Sequence, residues 1–170
     1  MTKNSQQNRA DIFLVVKKNH VGYGVYTTVA IKQGAVICTM QGKNKPAFTL
    51  HLKGNAFRRA IVDPLQVGAN KYLDLAKPFI YINHSCDPNA GIRKKAELFA
   101  LKSIQKGDEI TYDYATTVDE TFVCKCGVKK CRKFIPVDFF GLPSSVQRSY
   151  IARGAVPDNI IKKYKKCHGK

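Results

Sequence analysis

Short apolar runs broken by glycine fill the first three quarters of the chain. "IFLVV" (12–16), "YGVYTTVA" (23–30), "AVICTM" (35–40) and "FTLHL" (48–52) are rich in β-branched and aromatic residues, and Gly22, Gly24, Gly34, Gly42 and Gly54 punctuate them. In "FTLHL" the apolar positions alternate, so Phe48, Leu50 and Leu52 share one strand face. "FIYI" (79–82) reads as strand-like. "ELFALKSI" (97–104) and "EITYDY" (109–114) continue the pattern, with "QKGD" as the turn between them. Many short strands in close succession predict a mostly β assembly. The period changes near the C-terminus. In "LPSSVQRSYIARG" (142–154), Ser144 and Gln147 have capping-box spacing, Val146 and Tyr150 are four apart, and Gly154 suits a stop. Pro157 suits the first turn of a second short helix carrying Ile160, Ile161 and Tyr164. The two helices read as an appendage, not a second domain.

The strand-like "FIYI" runs straight into "NHSCDPNA", a concentration of polar groups that a simple loop does not require. The rest of the composition narrows its meaning. A chain of 170 residues suits one domain, and 44% hydrophobic residues are enough for a core, which argues against disorder. The N-terminus is polar, unlike a signal peptide, and no run approaches the roughly 18 apolar residues of a membrane span. A soluble intracellular protein with no membrane partner is expected. The formal net charge is +17. Lys125, Lys129, Lys130, Arg132 and Lys133 crowd one stretch, and Lys162, Lys163, Lys165, Lys166 and Lys170 crowd the end. Such a basic face predicts contact with nucleic acid or another acidic partner.

Three of the six cysteines, Cys124, Cys126 and Cys131, fall within "CKCGVKKC". Thiols at this spacing converge on a tetrahedral ion more readily than they bridge each other. Structural zinc takes four ligands, so a fourth comes from elsewhere. Cys86 is the natural candidate, with Cys38 and Cys167 as the others. A closed four-thiolate site holds structure and leaves no position for substrate.

"NHSCDPN" (83–89), "GDEITYDY" (107–114) and Cys-x-Cys-x-x-x-x-Cys (124–131), in that order, resemble the SET-domain protein lysine methyltransferases with a post-SET zinc motif. "GYG" (22–24) stands where that family has its Gly-x-Gly turn, and "IKQGAVI" (31–37) matches its Ile-x-x-Gly-x-x-Ile. The resemblance spans roughly residues 11–135. It implies a β-clip of short strands with a knot-like crossing, plus the short C-terminal helices. By it, residues 1–10 are a tail, 11–118 the SET domain, 119–136 the post-SET zinc segment and 137–170 the helical appendage. It also implies transfer of a methyl group from S-adenosylmethionine to a lysine of a protein substrate, a histone or another DNA-associated protein. On that mapping Tyr114 and Tyr112 are catalytic. Gly22, Tyr23, Gly24, Asn83, His84, Tyr114 and Phe134 contact the cofactor. Cys86, Cys124, Cys126 and Cys131 hold a structural zinc. The setting would be chromatin in a eukaryotic cell and the cytoplasm otherwise.

Single residues weigh less than their context. A histidine after an apolar run is more often a core residue than a functional one. Tyr112 and Tyr114 alternate about Asp113, and two tyrosines on one strand face usually belong to a core. Their place after "GDEIT" makes them channel residues in this reading. His20, His51 and His168 read as surface.

The sequence also departs from the family pattern. Met40 stands where members commonly have the Tyr of Tyr-x-Gly, and Ile80 stands where many have Arg. The segment between Gly42 and Lys77, where substrate choice often resides, is short. A second reading follows: an inactive relative acting as a zinc-stiffened basic module that binds nucleic acid or protein. Met40 and the charge favour it; Tyr114, Asn83 and His84 favour the enzyme. Against a +17 surface, Asp119 and Glu120 are the candidates for a locally acidic groove that admits a lysine-rich tail. Tyr112, two before the catalytic tyrosine, is the family residue that goes with fewer methyl groups added, so mono- and dimethyl products are expected.

Overall fold

Asn19 turns the chain back on itself by accepting the Val21 N–H on its side-chain oxygen at 3.1 Å. Gly22 follows at φ +124°, a conformation that favours glycine. The computed structural model describes residues 13–46, 64–68, 71–118 and 121–169. The expected strand at 48–52, with His51 and Gly54, and the pair Asp119–Glu120 lie outside the described residues.

Strands β1 (Leu14–Asn19) and β2 (Gly22–Thr27) form the hairpin around that turn. β3 (Val36–Thr39), β8 (Ala90–Arg93) and β9 (Glu97–Ala100) make an antiparallel sheet in the order β3-β9-β8. β4 (Gly42–Pro46), β5 (Pro64–Gly68) and β6 (Lys71–Leu75) make another, in the order β4-β6-β5. β7 (Asn83–His84) and β10 (Thr111–Tyr112) pair in parallel, and β11 (Phe122–Val123) and β12 (Phe134–Ile135) form a small hairpin. Helices α1 (Ser144–Ala152) and α2 (Asp158–His168) close the chain. Among the described residues no helix is long and apolar enough to cross a membrane.

Two cores organise these pieces. The first gathers Val25, Ile37, Ile82, Ile92, Leu98 and Ile110 between the small sheets. Each such fully buried aliphatic side chain stabilises the fold by about 1.5–3 kcal/mol. The second joins Phe99, Leu101 and Ala115 to Cys124 and Ile135 and to the helical segment through Phe139, Tyr150, Val156 and Ile160. Tyr114 packs against both.

Three local expectations give way to competing chemistry. "FIYI" is not a strand but a 3-10 turn, Phe79–Tyr81, in which the Tyr81 N–H donates to Pro78 O at 3.0 Å. Its buried residues, Phe79 and Ile82, are three apart, the spacing of a turn and not of a strand. "EITYDY" is extended only as far as Tyr112, because the Asp113 carboxylate accepts the Ala115 N–H and starts a 3-10 turn at Tyr114. The capping box at Ser144 does not form. Ser144 is the first helical residue, and Gln147 is buried, its carboxamide donating to Phe140 O at 3.0 Å and Leu142 O at 2.7 Å. Gly154 does follow α1, at φ +61°.

Candidate active site

The polar stretch after Ile82 lies where two chain segments cross. Asn83 pairs with Thr111 and His84 with Tyr112. Ser85 N–H donates to Tyr112 O at 3.1 Å, and the Tyr114 hydroxyl donates to Ile82 O at 2.8 Å. Asn89 completes the crossing with its side chain. Its amide donates to Glu109 O at 2.7 Å and its oxygen accepts the Thr111 N–H at 2.9 Å, so one carboxamide substitutes for a strand neighbour.

Glu109 ties this crossing to the first hairpin. One of its oxygens accepts from Asn83 at 2.7 Å and from Asn19 at 2.9 Å, and the other accepts the Tyr26 hydroxyl at 3.4 Å. Asn83 also donates to Tyr23 O at 2.8 Å. The Gly-x-Gly motif permits this approach: a Cβ on Gly24 would collide with the Glu109 carboxylate.

A cavity of about 470 Å³ opens beside the crossing, within the roughly 300–1,000 Å³ of small-molecule sites. Asn83, His84, Tyr114, Phe122, Val123 and Lys102 are among the residues that line it, with Cys124 and Cys126 at the same wall. Three of the expected cofactor residues, Asn83, His84 and Tyr114, therefore face one space. Tyr23 contributes its carbonyl to Asn83, with Gly22 and Gly24 on either side in β2. Phe134 is 61% exposed and pairs in the β11–β12 hairpin with Val123, which lines the cavity. Tyr112 is buried, its ring 4.9 Å from that of Tyr114. Met40 is 2% exposed and belongs to the first core. His20 is exposed but lines the cavity, while exposed His168 stacks on Tyr164.

The cysteine loop closes the other side. Cys124 Sγ lies 3.6 Å from both Cys86 Sγ and Cys131 Sγ. Disulfide sulfurs bond at about 2.05 Å, whereas thiolates around a tetrahedral zinc with bonds of about 2.3 Å stand roughly 3.8 Å apart. The spacing fits a shared ion. The donor atoms of His84, Cys86, Cys124 and Cys126 lie within 4.8 Å of one another, which makes His84 a rival ligand. Its own hydrogen bonds hold the ring in place beside Cys86. Nδ1 accepts the Tyr114 N–H at 3.2 Å, so the proton of the neutral ring sits on Nε2, which points at Cys86 Sγ 3.2 Å away. Burial, opposed by Asp113 and aided by Arg132, pushes the His84 pKa down to about 4, so the ring is neutral near pH 7. Cys86, Cys124 and Cys126 belong to that group with His84, and Cys131 joins them through its contact with Cys124.

The role of Asp113 is not legible in its own segment. Its carboxylate is 2% exposed and accepts two bonds from the Arg132 guanidinium, at 2.9 and 2.7 Å, and one from the Tyr150 hydroxyl at 2.9 Å. Burial and then the Asp113 charge push the Tyr150 pKa up, which keeps its proton in place. Arg132 therefore does not belong to the basic face read from its sequence neighbours. Lys125, Lys129, Lys130 and Lys133 are exposed, as are Lys162, Lys163, Lys165 and Lys166 on α2.

A SET-domain family model matches residues 22–115, and the chain belongs to the SET-domain family. Histone-lysine N-methyltransferase trithorax of Drosophila virilis is 31% identical over 140 residues, which covers 72% of this chain and 4% of that protein. The chain thus spans a small fraction of the length of the curated relatives it matches first. The methyltransferase domain of human histone-lysine N-methyltransferase SETMAR superposes with a TM-score of 0.56 at 24% identity, covering 74% of this chain and 59% of that one. KRYPTONITE, solved in complex with DNA, an H3(1–15) peptide and SAH, superposes with a TM-score of 0.57 at 22% identity over 73% of this chain and 30% of that one. These likenesses bear out the mostly β SET fold with short C-terminal helices.

Proposed function

We propose that the chain transfers methyl groups from S-adenosylmethionine to lysine side chains of a protein, a histone or another DNA-associated protein. The observation that carries this is the convergence of Asn83, His84 and Tyr114 on one cavity beside a four-thiol cluster. The named relative is a histone-lysine methyltransferase, and KRYPTONITE was captured with SAH and a histone peptide. S-adenosylmethionine, when bound, supplies an electrophilic methyl group on a sulfonium. The chain's own residues do the rest. Asn83, fixed by Tyr23 O and Glu109, and neutral His84 form the polar wall for the cofactor. Phe122, Val123 and Ile135 supply the apolar wall of the cavity, and Phe134, which pairs with Val123, is the residue proposed to cover an adenine. Exclusion of water disfavours the charged form of a lysine amine, whose reference pKa is about 10.4, and so frees the lone pair that attacks. Tyr114 and Tyr112 aim that amine, which gives most of the rate through position. Cys86, Cys124, Cys126 and Cys131 would hold zinc as a structural post-SET centre. In domain terms this makes 11–118 the SET domain, 119–136 the zinc segment and 137–170 the helical end. Labelled methyl appearing on protein lysines tests the reading.

Tyr112 limits how many methyl groups are added. Its hydroxyl holds a water beside the amine, and a methylated amine must displace it to turn its lone pair to the cofactor again. Mono- and dimethyl-lysine are the expected products, and Tyr112→Phe shifts them upward, as read by mass spectrometry at long reaction times. Wild-type protein running to trimethyl-lysine would remove Tyr112 from this role.

The basic face favours a nucleic-acid contact, and chromatin as the setting in a eukaryotic cell. Lys125, Lys129, Lys130 and Lys133 with the four lysines of α2 present eight exposed cations. If most of them meet phosphates, duplex DNA binding falls on the order of 10³-fold between roughly 50 and 200 mM salt, because each contact releases a counterion. A titration with a fluorescent duplex reads this. A flat response would mean that the lysines only solvate the surface.

A further inference from the structure

Asp113 joins three parts of the chain, and the third, α1, lies beyond the family match, which ends at residue 115. The first part is the crossing itself, since Asp113 sits between Tyr112 and Tyr114. The second is the cysteine loop. Arg132 grips the Asp113 carboxylate with both terminal nitrogens while its backbone N–H donates to Cys86 Sγ at 3.4 Å. The third is Tyr150 in the middle of α1, whose hydroxyl meets the same carboxylate at 2.9 Å.

Both ends of α1 are fixed. At its start Gln147 donates to the carbonyls of Phe140 and Leu142. At its end the Arg153 guanidinium donates to Leu101 O at 2.7 Å, next to β9. Ala155 packs so closely on Gly91 of β8 that a Cβ there would lie 2.9 Å from its own. Ile135, which lines the cavity, shares the second core with Tyr150, Val156 and Ile160. The helix is therefore a brace between the strand body and the loop, with its one buried hydroxyl on the carboxylate that holds the loop's arginine.

We infer that the C-terminal helical segment is a clamp on the cofactor cavity, and that Tyr150 is a positioning residue that keeps the cysteine loop closed beside Tyr114 through Asp113 and Arg132. The reference to a cofactor rests on the function proposed above; the clamp on the loop does not. Tyr150→Phe keeps the ring and removes the hydroxyl, leaving Asp113 its two bonds from Arg132. Hydrogen exchange of the full-length protein tests the clamp, and calorimetric binding of S-adenosylhomocysteine tests its consequence. Loop amides 122–135 should exchange on the order of ten-fold faster in the variant, the scale of one charge-assisted hydrogen bond. Amides of β8 and β9 should keep wild-type rates, and S-adenosylhomocysteine affinity should fall several-fold. A merely structural tyrosine would raise exchange everywhere together. Unchanged loop exchange, a uniform rise, or loop opening that leaves affinity at the wild-type value overturns the proposal. If the wild-type protein binds no S-adenosylhomocysteine, the proposed function fails, and the exchange pattern alone still decides whether α1 clamps the loop.

Discussion

Tyr114→Phe should lower methyl transfer on the order of 10²-fold while the fold survives, the scale expected when a reacting group loses its alignment. The ring of Tyr114 is held on three sides, at 4.9 Å from Tyr112, 5.4 Å from His84 and 6.2 Å from Phe122, and it packs against both cores. Phenylalanine keeps all of those contacts. What goes is the hydroxyl, which donates to Ile82 O at 2.8 Å and faces the cavity wall. In stability each hydrogen bond of such a hydroxyl is worth about 0.5–1.5 kcal/mol. On the proposed mechanism it is the dipole that fixes the amine's approach, so rate should fall far more than melting temperature. Initial rates with labelled cofactor, beside a thermal melt, separate the two. A variant with near-normal turnover would show that Tyr114 does not serve the transfer step.

Removal of the metal should have an effect of similar size on binding. Purified protein should carry about one zinc per chain, as a single four-thiolate site requires. Beyond the Arg132–Asp113 pair and Ile135 in the second core, few bonds fix the loop: Cys124 N–H donates to Lys133 O at 2.7 Å, the Thr121 hydroxyl to Ile135 O at 2.7 Å, and β11 and β12 pair over two residues each. Such a short hairpin is marginal alone, so ligation supplies much of its order. Cys126→Ser removes one ligand of four and leaves a weaker site. Phe122, Val123 and Ile135 then lose their fixed place at the cavity, and S-adenosylhomocysteine affinity should drop by more than ten-fold, as changes around a metal site typically do. Metal analysis and calorimetry on the same preparations check this. Metal-free protein that is folded and binds the cofactor product normally would refute a structural zinc here.

The elements that the sequence revealed are those whose patterning is local. Val25, Ile37, Leu98 and Ile110 stand in β-branched or apolar runs, and all four are core residues. β4, "GKNKP", carries two lysines and hides its strand behind polar side chains, because it is defined by pairing with β6 and not by its own composition. β8, "AGIR", is short and holds a glycine that is there to admit Ala155 from a segment some sixty residues later. The site follows the same division. The cysteine spacing and "NHSC" are contiguous signals. The Asp113–Arg132–Tyr150 contact spans three separate segments, and nothing in any one of them announces it. Arg132 reads as one more surface cation until the buried carboxylate is in view. Glu109 is similar: Asn19 and Tyr26 of the first hairpin and Asn83 of β7 meet on its carboxylate, and no one segment shows it.

The claim on which the rest depends is that this chain moves a methyl group onto lysine and does not only bind. Histones and candidate proteomes incubated with the zinc-loaded protein and isotope-labelled S-adenosylmethionine, followed by mass spectrometry of lysine-containing peptides, test it most directly. Labelled mono- and dimethyl-lysine that depends on Tyr114 is the expected result. Protein that binds S-adenosylhomocysteine, holds its zinc and labels no lysine in any of those mixtures would contradict it, and would leave the alternative of an inactive SET relative whose basic surface binds nucleic acid or protein.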